Sequence, residues 1–303
     1  MSLIVILGPT AVGKTQLAVQ LAKQLNGEVI SADSRQVYRN MDLGTGKDLE
    51  EYKVDDTLIQ HHLIDIKEAG ETYHVFDFQR DFYAAYEAII EKGKTAILCG
   101  GTGLYLEAAL AKEKMQEVPK NVELREELAE FSQEELGTRL KKIAGALHNK
   151  TDLVDWERTV RAIEIEEFKA AHAELERSPV AQAVVIGVRM EREKLRNRIA
   201  ERLESRLQEG MVEEVKSLIS QGVSHEQLNY YGLEYRFLSK YIQGEIKYEE
   251  MSENLVQAIR RFAKKQMTWY RRMEKKGQYI HWIDAEDPMN VKLQKAMKIS
   301  NKK

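Results

Sequence analysis

Gly8-Pro9-Thr10-Ala11-Val12-Gly13-Lys14-Thr15 follows directly on the apolar run at residues 3–7 and fits the phosphate-cradle pattern GxxxxGK[ST]. Its surroundings are those the pattern requires. A short apolar strand precedes the glycine-rich turn, and Leu17, Leu21 and Leu25 follow at helical spacing. Backbone N–H groups of such a turn, at the positive end of a helix, point at an anion. Lys14 adds a charge for terminal phosphates, and the Thr15 hydroxyl is placed to ligate Mg2+. A compound carrying a di- or triphosphate is expected to bind here.

Outward from this motif, the first hundred residues alternate strand and helix signals. Strands are expected at 3–7, 28–31 and 95–99, with helices after Lys14 and at 75–92. This is the pattern of an α/β fold with a P-loop NTPase-like parallel sheet core. Residues 112–177 turn to charged, helix-forming sequence and read as a helical insertion, leaving 1–111 and 178–303 as the core. One more strand is expected at 183–190. Residues 192–276 form a helical C-terminal part, followed by a strand-like piece at 279–283 and a polar tail from Asp284 that should fray.

The net charge of −3 over 303 residues argues against a polyanionic partner, but the charge is unevenly placed. Residues 260–276 hold eight basic side chains against one acid, Glu274, which makes nucleic acid a credible partner. On that helix Ile259, Phe262, Gln266, Trp269 and Met273 share a side, so its aromatics are expected in the core rather than as base-stacking platforms. Arg198, Arg202 and Arg206 recur every fourth residue on an earlier helix face. No run of about 18 apolar residues occurs, and the chain leads straight into the phosphate loop. Neither a membrane span nor a cleaved signal is therefore expected, and the location expected is cytoplasmic. The one cysteine, Cys99, ends an apolar strand and should be buried. His61, His62 and His74 lack partners at metal-ligand spacing and should pack or hydrogen-bond. No surplus apolar stripe asks for a second copy, so a monomer is expected.

Two further stretches should reach the phosphate loop's rim. The strand at 28–31 delivers Ala32-Asp33-Ser34-Arg35-Gln36, where Asp33 either faces the bound compound or caps a turn. The strand at 95–99 delivers Gly100-Gly101-Thr102-Gly103, whose glycines permit close approach to a ligand or make a tight turn, while Thr102 offers a hydroxyl. That strand does not end in the Asp with which ATPases hold Mg2+. A reaction that holds pyrophosphate and releases it suits these residues better than ATP hydrolysis.

These blocks, with Met41-Asp42-Leu43-Gly44-Thr45-Gly46-Lys47, His61-His62-Leu63-Ile64-Asp65-Ile66, Asp77-Phe78-Gln79-Arg80-Asp81 and Ala263-Lys264-Lys265-Gln266-Met267-Thr268-Trp269-Tyr270, resemble the tRNA dimethylallyltransferases over nearly the whole chain. The resemblance implies transfer of a dimethylallyl group from dimethylallyl diphosphate to the N6 amine of the adenosine 3′ of the anticodon. The partner is then a tRNA anticodon stem-loop and the cofactor Mg2+, held by Thr15. It implies Asp33 as general base, Thr102 beside the adenosine, and Lys14 with Gly8–Thr15 and Arg198 on the diphosphate. The tRNA contacts it implies are Asp33, Ser34, Arg35, Gln36 and Thr102, with Arg125, Arg158 and Arg161 in the insertion. The sequence departs from the family pattern at 149–156 and at Asn229-Tyr230-Tyr231-Gly232-Leu233-Glu234-Tyr235, both in regions expected to meet tRNA. No zinc-finger extension follows Asp284, which favours a bacterial type. The alternatives are an adenylate isopentenyltransferase acting on free nucleotide, a P-loop kinase of a small metabolite, and a noncatalytic RNA-binding protein.

Overall fold

A computed structural model describes residues 3–144, 153, 155–172, 176–180 and 182–301. The chain divides into two compact units, residues 1–112 with 178–303, and residues 113–177.

In the first unit, β1 (Leu3–Leu7) leads through the glycine-rich loop to α1 (Lys14–Gln24), then β2 (Gly27–Ser31). A small hairpin, β3 (Lys53–Val54) and β4 (Thr57–Leu58), and the edge strand β5 (His61–His62) precede α2 (Val75–Glu91). β6 (Thr95–Gly100) and α3 (Gly103–Ala109) complete this half. The second unit holds α4 (Val122–Leu128), α5 (Gln133–Ala144) and α6 (Trp156–Ala171). After it the first unit resumes with β7 (Ala183–Arg189), α7 (Arg192–Gln208), α8 (Met211–Ser220), α9 (His225–Tyr230), α10 (Leu233–Ile242), α11 (Tyr248–Lys275), β8 (His281–Asp284) and α12 (Met289–Ser300).

The sheet runs in the order β5-β2-β6-β1-β7-β8 and every pairing in it is parallel. Strands buried on both faces should read as continuous apolar runs, and Leu3, Ile4, Val5, Ile6 and Leu7 are all buried. β6 lies between β1 and β2, with Leu7 opposite Gly100 and Ser31 opposite Cys99. The loops leaving all three strands therefore start at the same level, on the carboxyl end of the sheet, where α/β folds bind ligands.

At the start of β2 the buried Glu28 carboxylate lies 2.7 Å from Lys94 Nζ and from His62 Nε2. His61 packs its ring on Tyr52 at 4.6 Å, and Cys99 is buried.

Two expectations need correction. The segment beyond Asp284 does not fray: α12 buries Ala296 and Lys292, and the Lys292 ammonium donates to the Ala285 carbonyl at 3.1 Å. Its stripe of Met289, Leu293, Ala296 and Met297 is diluted by lysines, which hid the helical period. On α11 the buried residues are Met251, Leu255, Ala258, Ile259, Ala263, Gln266, Tyr270 and Met273, while Phe262 is 43% exposed. Over a long helix the 3.6-residue period carries Phe262 out of the stripe and brings Tyr270 into it.

Burial would raise the Glu28 pKa, but hydrogen bonds from Lys94 and His62 hold it down at about 2, against an ordinary value of 4.5. A depressed carboxylate stabilises the fold above its unfolded pKa and loses that contribution as pH falls through the folded value. By this linkage Glu28 contributes up to about 3 kcal/mol near neutrality. Urea unfolding should show Glu28→Gln less stable than the parent above pH 5, with the gap closing toward pH 2. A gap independent of pH would remove this assignment.

Candidate active site

The phosphate loop is shaped for an anion. Gly13 adopts a left-handed φ of 77° as the N-cap of α1, with no side-chain cap on the helix's first amides. Lys14 opens the helix half-buried; burial pulls its pKa below the usual value, opposed by Cys99, Asp33 and Glu51. The Thr15 hydroxyl reaches the Cys99 thiol, which burial pushes up to about 12, so that sulfur stays a neutral core group.

α7 lays its arginines along this loop. Arg198, exposed and without an ion pair among the described residues, has Nη2 3.8 Å from where a Cβ on Gly13 would stand. Arg202 and Arg206 both pair with Asp48, the latter at 2.8 Å, and Arg202 approaches the Thr10 hydroxyl at 3.5 Å. Desolvation would raise the Asp48 pKa, but the two guanidiniums hold it below the usual carboxylate range. Burial raises Glu51 and Glu234 instead. Beside the loop lies a narrow cleft of about 20 Å3, walled by Ile199, Leu203, Met211 and Ile259 and edged by Thr10, Arg202, Arg206 and Glu234. A charged mouth thus adjoins an apolar wall.

Asp33 and Thr102 come together on the neighbouring loops. A Cβ on Gly100 would lie 2.2 Å from the Ala32 carbonyl oxygen, so no side chain fits at that strand end. The Ala32 carbonyl instead accepts the Thr102 amide at 3.2 Å, and the Thr102 hydroxyl accepts the Ser34 amide at 3.2 Å. The close approaches at Gly100, Gly101 and Gly103 are to protein, namely Ala32, Gln266 and Trp269, rather than to open space for a ligand. Asp33 Oδ1 accepts the Arg35 amide at 2.9 Å, the turn-capping role its sequence allowed. Oδ2 has no partner among the described residues and stays available for chemistry. Gln36 is used in the fold, accepting from Ser31 at 3.0 Å and donating to the Gly46 carbonyl at 2.9 Å. Arg35 lies over the ring of Tyr230 at 5.1 Å, and Tyr230 is 41% exposed. The divergent block Asn229–Tyr235 therefore borders the site through Tyr230 and Glu234.

The long helix α11 places Arg261, Lys264, Lys265, Arg271 and Lys275 outward, with no ion pair among the described residues. Arg260 is not part of that face, since its guanidinium donates to the Arg196 carbonyl at 3.1 Å, and Arg272 pairs with Glu107 at 2.8 Å.

In the second unit Arg125 and Arg161 converge on one buried carboxylate, Glu164, at 2.7 and 3.0 Å. Burial opposes this, but the two arginines and the Asn121 amide hold Glu164 at a pKa of about 2. Arg158 is exposed, 3.2 Å from Asp155. The divergent stretch before it lies, apart from Leu153, Asp155 and Trp156, outside the described residues.

An all-parallel sheet with a phosphate loop after its central strand and an arginine helix alongside defines an α/β phosphate-loop protein of the group-transfer kind. The IPP transferase family model matches residues 36–273 and the isopentenyl transferase model residues 1–65. The chain is 52% identical over 301 residues to tRNA dimethylallyltransferase 1 of Parabacteroides distasonis, covering 99% of this chain and 97% of that one. It is 50% identical over 289 residues to tRNA dimethylallyltransferase 1 of Geotalea uraniireducens, covering 95% and 94%. Among solved structures, the tRNA isopentenylpyrophosphate transferase of Bacillus halodurans superimposes with a TM-score of 0.69 at 33% identity, over 99% of this chain and 98% of that one. A eukaryotic dimethylallyltransferase acting on tRNA superimposes at 0.79 with 25% identity, over 99% of this chain and 79% of that one. The chain belongs to the IPP transferase family.

The Glu164 cluster separates a structural from a binding role for Arg125. Arg125→Ala should cost about 2–3 kcal/mol in denaturant unfolding, because it strips a charge-assisted partner from a buried carboxylate. Unchanged unfolding with weakened tRNA binding would assign Arg125 to the RNA instead.

Proposed function

We propose that this protein is a tRNA dimethylallyltransferase, moving a dimethylallyl group from dimethylallyl diphosphate to the N6 amine of the adenosine 3′ of the anticodon. The observation that carries the reading is the junction of Asp33 and Thr102 beside the phosphate loop, in a chain of this family. A base on one side and a diphosphate cradle on the other are what transfer to an amine requires.

In the reaction the N6–carbon bond forms as the allylic carbon–oxygen bond breaks. The diphosphate leaves with the bonding electrons, and the amine proton passes to Asp33. The loop amides from Ala11 to Thr15, with Lys14 and Arg198, bind the diphosphate and stabilise its growing charge. The free Oδ2 of Asp33 accepts the proton. Thr102 orients the adenine, and Ile199, Leu203, Met211 and Ile259 place apolar side chains beside the loop. Among the described residues no three His, Cys, Asp or Glu side chains form a metal cage. The Thr15 hydroxyl, at the first turn of α1 after the phosphate loop, would hold Mg2+ beside the bound diphosphate. The ion supplies charge neutralisation on the leaving group. An anticodon-loop base must leave its stack to reach this rim. Ser34 and Arg35, the outward cations of α11, and Arg158 in the second unit support the RNA part of the reading, while Gln36 enters it by holding its own loop and Arg125 and Arg161 by holding the second unit's fold.

Radiolabel from dimethylallyl diphosphate, with Mg2+, should enter unmodified tRNA and not AMP; label in AMP alone would make the protein an adenylate isopentenyltransferase. Asp33→Ala should slow transfer by roughly 10²- to 10⁴-fold with tRNA affinity nearly unchanged, and full turnover would end the base assignment. Charge reversal at Arg261 and Lys264 should weaken tRNA binding and reduce its salt slope by about two. An unchanged slope would make that face ordinary solvated surface.

A further inference from the structure

Two side chains of α11 span the gap between the phosphate loop and the Thr102 loop. Gln266, only 6% exposed, accepts the Thr10 amide on Oε1 at 2.9 Å and donates from Nε2 to the Gly101 carbonyl at 2.9 Å. The amide has one workable orientation, because a flip would set donor against donor and acceptor against acceptor. One turn on, the fully buried Tyr270 hydroxyl lies 3.0 Å from the Gly8 carbonyl and 3.2 Å from the Gly101 carbonyl. Burial pushes that phenol's pKa up, so it remains a donor.

Packing alone does not account for these residues. The other buried residues of α11 are Met251, Leu255, Ala258, Ile259, Ala263 and Met273, and a methionine would fill the place of Gln266 without burying a carboxamide. A carboxamide there is tolerated because both its ends are bonded, and the two ends reach different loops. One loop is the cradle of the diphosphate and the other carries the residue beside the acceptor.

We propose that Gln266 and Tyr270 are positioning residues for the transfer step, fixing the separation between the carbon bound to the diphosphate and the amine held at Asp33 and Thr102. The inference rests on the transferase reading above. Neither side chain touches the reacting atoms; each acts through the backbone of the two loops. Rates of reactions between two bound groups fall steeply with small errors in their separation, by about 10²-fold for 1 Å.

Gln266→Met keeps the volume and removes both bonds, and Tyr270→Phe removes only the hydroxyl. The test measures single-turnover transfer of labelled dimethylallyl to unmodified tRNA at saturating substrates, with separate Kd values for pyrophosphate and tRNA and a thermal melt of each variant. Each substitution should lower the single-turnover constant by about 10- to 100-fold with both Kd values within about threefold of the parent. The double variant should lose less than the product of the two, because both act on one distance. A constant within threefold of the parent in either folded variant, or losses confined to the Kd values, would overturn the proposal. Should Gln266→Met fail to fold, Tyr270→Phe carries the test by the same criteria. A parent protein that fails to label tRNA overturns the functional reading itself, whereas an active parent with unaffected variants overturns only this inference.

Discussion

The contact between the Ala32 carbonyl and the bare backbone of Gly100 governs the carboxyl end of the sheet. It lets β2 and β6 continue past their last ladder bonds, with the Ala32 amide on the Cys99 carbonyl at 2.8 Å and the Thr102 amide on the Ala32 carbonyl at 3.2 Å. Two loops thereby become one surface carrying Asp33 and Thr102. β1 pairs with the other side of β6, so the phosphate loop opens beside that surface. Any side chain at 100 would force the two backbones apart and with them Asp33 and Thr102. The same constraint removes the position where a strand-end Asp could stand, which agrees physically with a site that holds a diphosphate instead of hydrolysing a nucleotide.

Charge around the phosphate loop is partly neutralised and partly left open. Asp48 holds Arg202 and Arg206, each of which would otherwise repel the other; the Arg206 pKa is lowered by burial and by Arg202. Among the described residues Arg198 and Lys14 have no such partner, and both lie at the cradle. An anion entering there meets two uncompensated cations backed by a compensated pair, a graded arrangement that limits desolvation in the absence of ligand. Among the other buried charged residues, Glu28, Lys47 and Glu164 are ion-paired, whereas Lys292 has only the Ala285 carbonyl. Lys47, with no exposed side-chain surface, binds Asp42 at 2.6 Å, Asp65, and the Tyr38 carbonyl at 2.6 Å, and Glu214 accepts the amides of Asp42, Leu43 and Gly44. These contacts hold the segment after Gln36 against α8 and α10.

α11 joins three functions along its 28 residues. One face packs into the core, where each large apolar side chain contributes about 2 kcal/mol by burial. Gln266 and Tyr270 on that face reach the two reactive loops, and the opposite face carries the cations. The rigidity of a long helix ties this cationic surface to the geometry of the two loops without an intervening flexible segment.

Residues 3–25 determine much by themselves: five apolar residues, a glycine-rich turn and a leucine repeat allow only a buried strand, an anion cradle and a helix. The core strands and the positions of Asp33 and Thr102 were equally legible, because strand ends in a parallel sheet share one rim. The two-residue strand β5 was not, since His61 and His62 pair with β2 through backbone bonds that leave no apolar period. Nor was α12, or the outward turn of Phe262. Arg202 and Arg206 showed in the sequence as a repeat every four residues, yet their place at the cleft depended on Asp48, which is 154 residues from Arg202. Arg125 and Arg161 looked like free cations until the fold brought Glu164 beneath them. Local spacing determines which element forms and which groups share its face. Which charge finds a partner, and which buried amide bridges two loops, is decided only when distant segments meet, because desolvation and hydrogen bonding depend on the neighbour and not on the residue alone.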